Sequence, residues 1–392
     1  MYIDLTPELR ALRDELRTYF AKLMTPELVA ELTAGGEGGG PQYRRAMKKM
    51  GKDGWLGVGW PKEYGGMDRT PLEQFLFADE IQRAGFPLPF LTLNTIGPTI
   101  MAFGTPEQKA EFLPRILAGE LNFAIGYSEP GAGTDLASLT TSAVRDGDDW
   151  IIQGQKTFTS LADFADYIWL AARTDPDAKK HRGISMFIVP TSSPGFRLTP
   201  IWTVSDVRTN ATFYDQVRVP GRYLVGGLNN GWGLITSQLN HERVSLFPIG
   251  PFERLSDDVR RWAQSTKLAD GRRVIDQPFV RRNLARCYAG AEALRLMLWK
   301  QAWTLTHSRL HPAEASTVKV YASEFFVEAY RLLMEVIGPA AAINRRSPGA
   351  VLAGRLERMY RSALILTFGG GTNEVQRDII AMAGLQMPHY KG

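Results

Sequence analysis

The stretch Thr140–Phe158, TTSAVRDGDDWIIQGQKTF, alternates apolar and polar residues on both sides of Asp146-Gly147. Period-two alternation around an Asp-Gly step predicts a β-hairpin with a tight turn. Four further segments follow: YIWLAAR (167–173), ISMFIVP (184–190), FRLTPIW (196–202) and ATFYDQVRV (211–219). Each is short, rich in β-branched or aromatic residues and bounded by turn residues. Residues 123 to about 225 therefore read as an antiparallel β domain.

On either side the period is helical. Upstream, Thr6-Pro7 is a start signal, and Leu9, Leu12, Leu16, Phe20 and Leu23 form an apolar face. GGEGGGP at 35–41 and GWLGVGWPKEYGG at 54–66 are glycine-rich loops, and Thr105-Pro106-Glu107-Gln108 is a capping box. Downstream of Gly231, long helices are expected near 231–263, 277–308, 313–337 and 350–366, with a shorter one after Gly371; four of that length imply a bundle. The fold class is α+β, in three parts: an N-terminal α domain (1–122), a middle β domain (123–228) and a C-terminal helical bundle (229–392).

The 392 residues are 44% hydrophobic and 22% charged, an ordinary globular balance. A lone Cys287 leaves no intramolecular disulfide, which fits a reduced compartment. Asp4, Glu8, Asp14 and Glu15 crowd the N-terminus, unlike a secretory leader, and no apolar run is long enough to span a bilayer. A cytoplasmic protein is expected. The formal charge is +5, but no basic run interleaves with aromatics as a nucleic-acid surface requires. His307 and His311 stand four apart without a glutamate between them, and Pro312 marks a helix end where histidine is favoured anyway, so no metal is expected.

Three features could carry chemistry. Gly131-Ala132-Gly133-Thr134, in YSEPGAGTDLASL, lacks the third glycine of a dinucleotide fingerprint. It reads equally as a plain turn or as a backbone brought close to a ligand. Gly369–Gly371 run into Thr372 and Asn373, good N-cap residues, which favours a polar-ligand loop over a simple turn. Third, in Trp232–Phe247, WGLITSQLNHERVSLF, residues Trp232, Ile235, Leu239 and Leu246 form a helical stripe whose vacancy is filled by Glu242. The pattern admits a solvated glutamate paired with Arg243 or Arg254, or a buried carboxylate whose raised pKa makes it a general base. On the pattern alone the structural role ranks ahead of catalysis.

Taken together, YSEPGAGTDLASL, QGQKTFTSLADFADY and FGGGTNEVQRDII resemble, in order, the two flavin loops and the C-terminal flavin and substrate segment of the acyl-CoA dehydrogenase family. The resemblance covers nearly the whole chain. It implies non-covalent FAD, oxidation of an acyl-CoA thioester to the trans-2-enoyl-CoA, and an electron-transfer flavoprotein as acceptor. The family places its base in one of two slots, which here hold Gly370 and Glu242, so the resemblance assigns the α-proton base to Glu242 and sends the β-hydride to flavin N5. By the same likeness Ile125, Tyr127, Ser128, Gly133 and Thr134 match the first flavin loop. Phe158, Thr159 and Ser160 match the second, with Phe158 where the family often has tryptophan. Thr372, Asn373 and Glu374 match the C-terminal flavin segment, and Asn240, Arg243 and Gly371 the substrate side.

Two elements depart from the family. Its Arg-x-x-Phe-Gly is replaced by Lys267-Leu268-Ala269-Asp270-Gly271, and its Gln-x-x-Gly-Gly-x-Gly by Glu335-Val336-Ile337-Gly338-Pro339-Ala340-Ala341. Both normally hold the ADP half of a neighbour's FAD, and neither Lys nor Asp reproduces the bidentate arginine fork. The combination is most similar to the actinobacterial heteromeric members of steroid side-chain (cholesterol) degradation. It implies a second, different acyl-CoA dehydrogenase-like subunit in a heterotetramer. The rival readings are a non-catalytic partner subunit that binds acyl-CoA or FAD, and an acyl-CoA oxidase.

Overall fold

The structure, a computed structural model, describes residues 4–35, 38–242 and 247–388; of residues 35 and 239–242 it describes the backbone alone. The first layer is helical: α1 (Pro7–Leu23), α2 (Pro26–Gly35), α3 (Pro41–Lys52), α4 (Pro71–Ala84), α5 (Gly97–Phe103) and α6 (Pro106–Leu117). The starts follow local chemistry. Thr6 Oγ1 accepts the Leu9 N–H, and Thr105 and Gln108 close the expected capping box. A π-helical segment, Leu91–Ile96, leads into α5. Phe20, Met50, Ile81 and Phe112 centre the core of this part.

The sheet comprises β1 (Phe123–Gly126), β2 (Ser142–Asp146), β3 (Asp149–Lys156), β4 (Tyr167–Arg173), β5 (Ile184–Pro190), β6 (Phe196–Trp202), β7 (Arg208–Pro220) and β8 (Leu224–Val225). Among the described residues the strand order is β6-β7-β3-β2-β4-β5-β8, with β1 on β4. The β2–β3 hairpin turns at Gly147, φ +62°, as the Asp-Gly step predicts. The sheet is antiparallel except where β1, and one residue of β2, pair with β4 in parallel. Central β4 and β5 are buried on both faces, so they read as continuous apolar runs.

The C-terminal part holds α7 (Gly231–Glu242), α8 (Gly250–Ser265), α9 (Pro278–His307), α10 (Pro312–Ile337), α11 (Arg355–Ala363) and α12 (Asn373–Ile379). Two sequence expectations need correction. The helix expected over 231–263 is two helices, because the chain is non-helical at 247–249 and Pro248 and Pro251 flank the start of α8. The helix expected over 350–366 is shorter, because Leu352, Ala353 and Gly354 all take positive φ and only Arg355–Ala363 is α-helical.

One buried acid locks the N-terminal and C-terminal parts together. Asp79 of α4 accepts the Gly250 N–H at 2.7 Å, just where α8 begins. Burial pushes its carboxyl up to about 7 against the pull of that bond. A Cβ on Gly250 would come within 2.8 Å of the Asp79 carbonyl, so the glycine permits the approach.

Candidate functional site

The loops leaving β1 and β3 are stitched together. The Thr157 N–H donates to the Ser128 carbonyl at 2.9 Å. Below it, Lys156 Nζ donates to Glu129 Oε1 at 2.8 Å and to the Tyr127 carbonyl at 3.0 Å. Glu129 also accepts from the backbone of Thr140 and Thr141 and from the Thr140 hydroxyl. Burial alone would raise the Glu129 carboxyl, but the Lys156 ammonium and these donors hold it at about 2. Burial pushes Lys156 down to about 8 despite its partner. An ion pair so enclosed and so fully hydrogen-bonded fixes both loops in one register.

On this frame the expected flavin residues fall in three environments. Gly133, Thr134, Phe158 and Ser160 are exposed; Ile125, Tyr127 and Ser128 are half-buried; Thr159 is buried. Phe158 is 64% exposed and held at φ +58°, a conformation costly for an aromatic residue. Its neighbours enforce it: the Thr159 N–H donates to the Asn210 carbonyl at 2.8 Å and the Ser160 hydroxyl contacts Thr209 at 3.1 Å. A cleft of 670 Å³ opens beside Pro130 and Gly131, lined also by Gln153, Arg197 and Asp215. None of the residues expected to bind flavin lines it.

The glycine turn before α12 is anchored separately. Thr372 caps α12, accepting the Val375 N–H at 3.3 Å. Asn373 is buried, and its Oδ1 accepts Lys319 Nζ at 2.7 Å and the Ser323 hydroxyl at 3.1 Å. Its side chain is thus committed to α10, while Gly371 and Glu374 are exposed. Burial pushes Lys319 down to about 8, against the attraction of Glu374 and Glu324.

Helix α7 packs on β5, α5 and the segment 91–96. Leu234 and Ile235 are buried and Trp232 is partly buried, edge-on to His181 at 4.7 Å. Glu242 is the last described residue of α7. The side chains of Leu239, Asn240 and Glu242, and all of Arg243 and Leu246, lie outside the described residues. Arg254, one expected partner for Glu242, donates to the Arg83 and Ala84 carbonyls at 3.0 and 2.9 Å, capping the end of α4.

Sequence reasoning missed several residues. Gln238 of α7 is 1% exposed and joins Tyr127, whose hydroxyl also accepts from Trp169 Nε1 at 3.2 Å. Its position four before Glu242 was the available signal. Glu129 and Lys156 lay inside quoted motifs, but nothing local marks them as partners. The two histidines take helix-end roles: His307 Nδ1 meets the Trp303 carbonyl at 2.8 Å, and His311 caps α10. Among the described residues no cluster of His, Cys, Asp and Glu could hold a metal ion, and no helix is long and apolar enough to cross a membrane.

The two departures from the family pattern also have local partners. Asp270 pairs with Arg272 at 2.6 Å. Glu335 pairs with Arg331 and accepts from Asn283 Nδ2 at 2.8 Å. The negative charge of both residues is therefore partly neutralised within the chain.

An N-terminal helical layer, a sheet whose loop after β1 meets the first C-terminal helix, and a closing bundle define a class. Models of the acyl-CoA dehydrogenase N-terminal, middle and C-terminal domains match residues 6–120, 124–217 and 229–385, and the chain belongs to the acyl-CoA dehydrogenase family. It is 56% identical over 396 residues to acyl-CoA dehydrogenase FadE26 of Mycobacterium tuberculosis, covering 99% of both chains. It is 48% identical over 390 residues to FadE29 of the same organism, again over 99% of each. Among solved structures, it is similar to a chain of the ChsE4-ChsE5 complex from Mycobacterium tuberculosis, with TM-score 0.93 and 56% identity over 99% of this chain and 100% of that one. The Tcur3481-Tcur3483 steroid ACAD matches with TM-score 0.93 and 51% identity, over 99% and 100%.

Proposed function

We propose that this chain is the base-bearing subunit of a heteromeric, FAD-dependent acyl-CoA dehydrogenase acting on a CoA thioester of a steroid side chain. The observation that carries it is the junction of the loop after β1 with α7: the helix that carries Glu242 accepts, through Gln238, the hydroxyl of Tyr127. The steroid class and the second subunit are argued from the ChsE4-ChsE5 and Tcur3481-Tcur3483 relatives.

The residues present fit FAD. Phe158 offers an exposed aromatic face on a loop fixed by backbone bonds, and a Cβ on Gly131 or Gly133 would meet nothing within 4 Å. Ile125, Tyr127, Ser128, Gly133, Thr134, Phe158, Thr159 and Ser160 would hold the ring system, with Thr372, Asn373 and Glu374 contributing from the start of α12. FAD supplies the acceptor for the β-hydride. Glu242 takes the α-proton, a weak acid that needs a carboxylate drawn out of water as acyl-CoA binds. The Gly371 N–H is the candidate donor to the thioester oxygen as it gains charge, and Asn240 and Arg243 orient the thioester. An electron-transfer flavoprotein would then reoxidise the cofactor.

The test uses the chain co-expressed with its partner subunit. Glu242→Gln should keep FAD and lose turnover on a polycyclic acyl-CoA by at least about three orders of magnitude. Near-normal turnover would reject the base assignment. Mass and flavin content of the same preparation should give a heterotetramer with one FAD per heterodimer; a homotetramer purified alone with one tight FAD per chain would reject the heteromeric reading.

A further inference from the structure

Lys319 of α10 is only 3% exposed, and both acceptors of its ammonium are neutral. Nζ donates to Asn373 Oδ1 at 2.7 Å and to the Thr367 carbonyl at 3.3 Å. Glu374 and Glu324 attract it without a hydrogen bond, and Glu324 is itself engaged by Arg377 and by the Asn373 amide. A buried ammonium with no carboxylate in contact is a costly way to join two helices, and an apolar side chain of similar length would join them at less cost. The place of its two acceptors points to a second task.

Thr367 and Asn373 flank the glycine turn, one before it and one after it. The turn itself has little to hold it. The Gly369 N–H donates to the Ile365 carbonyl at 2.7 Å, but the N–H groups of Gly370 and Gly371 donate to no backbone carbonyl among the described residues. Both glycines take positive φ, +68° and +94°, and neither has a side chain to pack. Glycine carries more backbone freedom than any other residue, so the direction of such a turn is set by its ends. The far end is locked as well: Asn373 Nδ2 donates to Ser323 Oγ at 3.0 Å, one helical turn from Lys319 on the same face of α10.

We propose that Lys319 is a positioning residue: by gripping both ends of the glycine turn it aims the Gly371 N–H at the oxygen of a bound acyl thioester. The inference rests on the reading of this chain as an acyl-CoA dehydrogenase in which that N–H is the donor. A backbone donor steadies developing charge only when it is held in its productive direction before the reaction begins. With one end released, three successive glycines would spread that direction over many conformations. The effect falls on the charged state of the thioester and not on its binding, because the neutral oxygen gains little from the same donor.

The experiment compares Lys319→Met and Ser323→Ala with the unaltered co-expressed complex. The probe is an acyl-CoA thioester whose β-carbon is replaced by sulfur. It can lose its α-proton but has no β-hydride to give, so it stops at the enolate. The enolate is read as its long-wavelength charge-transfer absorbance against oxidised flavin, at saturation and one fixed pH. With flavin content and probe affinity unchanged, Lys319→Met should lower the ratio of enolate to neutral thioester about tenfold, and kcat about tenfold with KM unmoved. Ser323→Ala, which loosens Asn373 and leaves the ammonium in place, should move both the same way by less. An unchanged enolate ratio in Lys319→Met, whatever its melting temperature, would overturn the inference and leave Lys319 a packing residue. If Lys319→Met does not assemble with flavin, the ratio in Ser323→Ala decides. The unaltered complex separates the two ideas. If it shows no enolate band, the dehydrogenase reading fails and this inference with it; if it shows the band and the variants match it, only the positioning role fails.

Discussion

The β-domain loops and the glycine turn before α12 both present exposed residues of the candidate site, yet they are held in opposite ways. The loops at 127–134 and 156–160 rest on a buried ion pair, Lys156 with Glu129, and every acceptor of that glutamate is engaged by a fixed donor. Under the proposed function this side meets the same planar cofactor in every turnover, so a rigid frame costs it nothing. The turn at 369–371 has no side chains, and a Cβ on Gly370 would meet nothing within 4 Å. Its anchor is displaced to Asn373, gripped by Lys319 from α10. Under the same proposal, open space beside a fixed anchor suits a side that admits a bulky acyl group.

Breaking the frame should have the largest effect. Lys156→Met would leave Glu129 buried without its counter-ion and should cost about 3–5 kcal/mol in denaturant unfolding, with loss of flavin. A cost below about 1 kcal/mol would mean that the loops are not held by the pair. The glycine turn should respond more mildly and unequally. Gly370→Ala pays only for its left-handed backbone, φ +68°, about 1–2 kcal/mol. Gly371→Ala, at φ +94°, must also displace Gln376 Nε2 from 2.7 Å and should lose more stability. Equal losses in thermal melting would refute that ordering.

Asp79 sets α8 behind both regions, and its effect appears as a dependence on pH. Its folded pKa, about 7, lies above its ordinary value of 3.8. The folded state therefore binds the extra proton between those values, and the stability this contributes, full below about pH 4, is lost as pH rises through about 7. Asp79→Asn should flatten this slope. Melting temperatures between pH 4 and 8 check it, and a native protein that gains stability across that window would contradict the assignment.

Much of this molecule could be read locally. The Asp146-Gly147 hairpin and the capping box at Thr105 each depend on residues a few positions apart, and each forms as expected. The three motifs are contiguous, so their likeness to a family is visible in the chain itself. The helix expected through 231–263 failed because periodicity was followed past Pro248 and Pro251. Proline removes a backbone donor whatever the surrounding pattern.

What the chain alone determined is its order of helix, sheet and helix, its family, and which short segments carry glycine. These follow from propensity and spacing over a few residues. Only the tertiary structure decided that Lys156 pairs with Glu129, that β1 lies parallel to β4, that Asp79 seats α8, and that Gln238 meets Tyr127. The last two pairs are 171 and 111 residues apart in sequence. Burial is what makes such polar partners obligatory, and it exists only once the distant segments have packed.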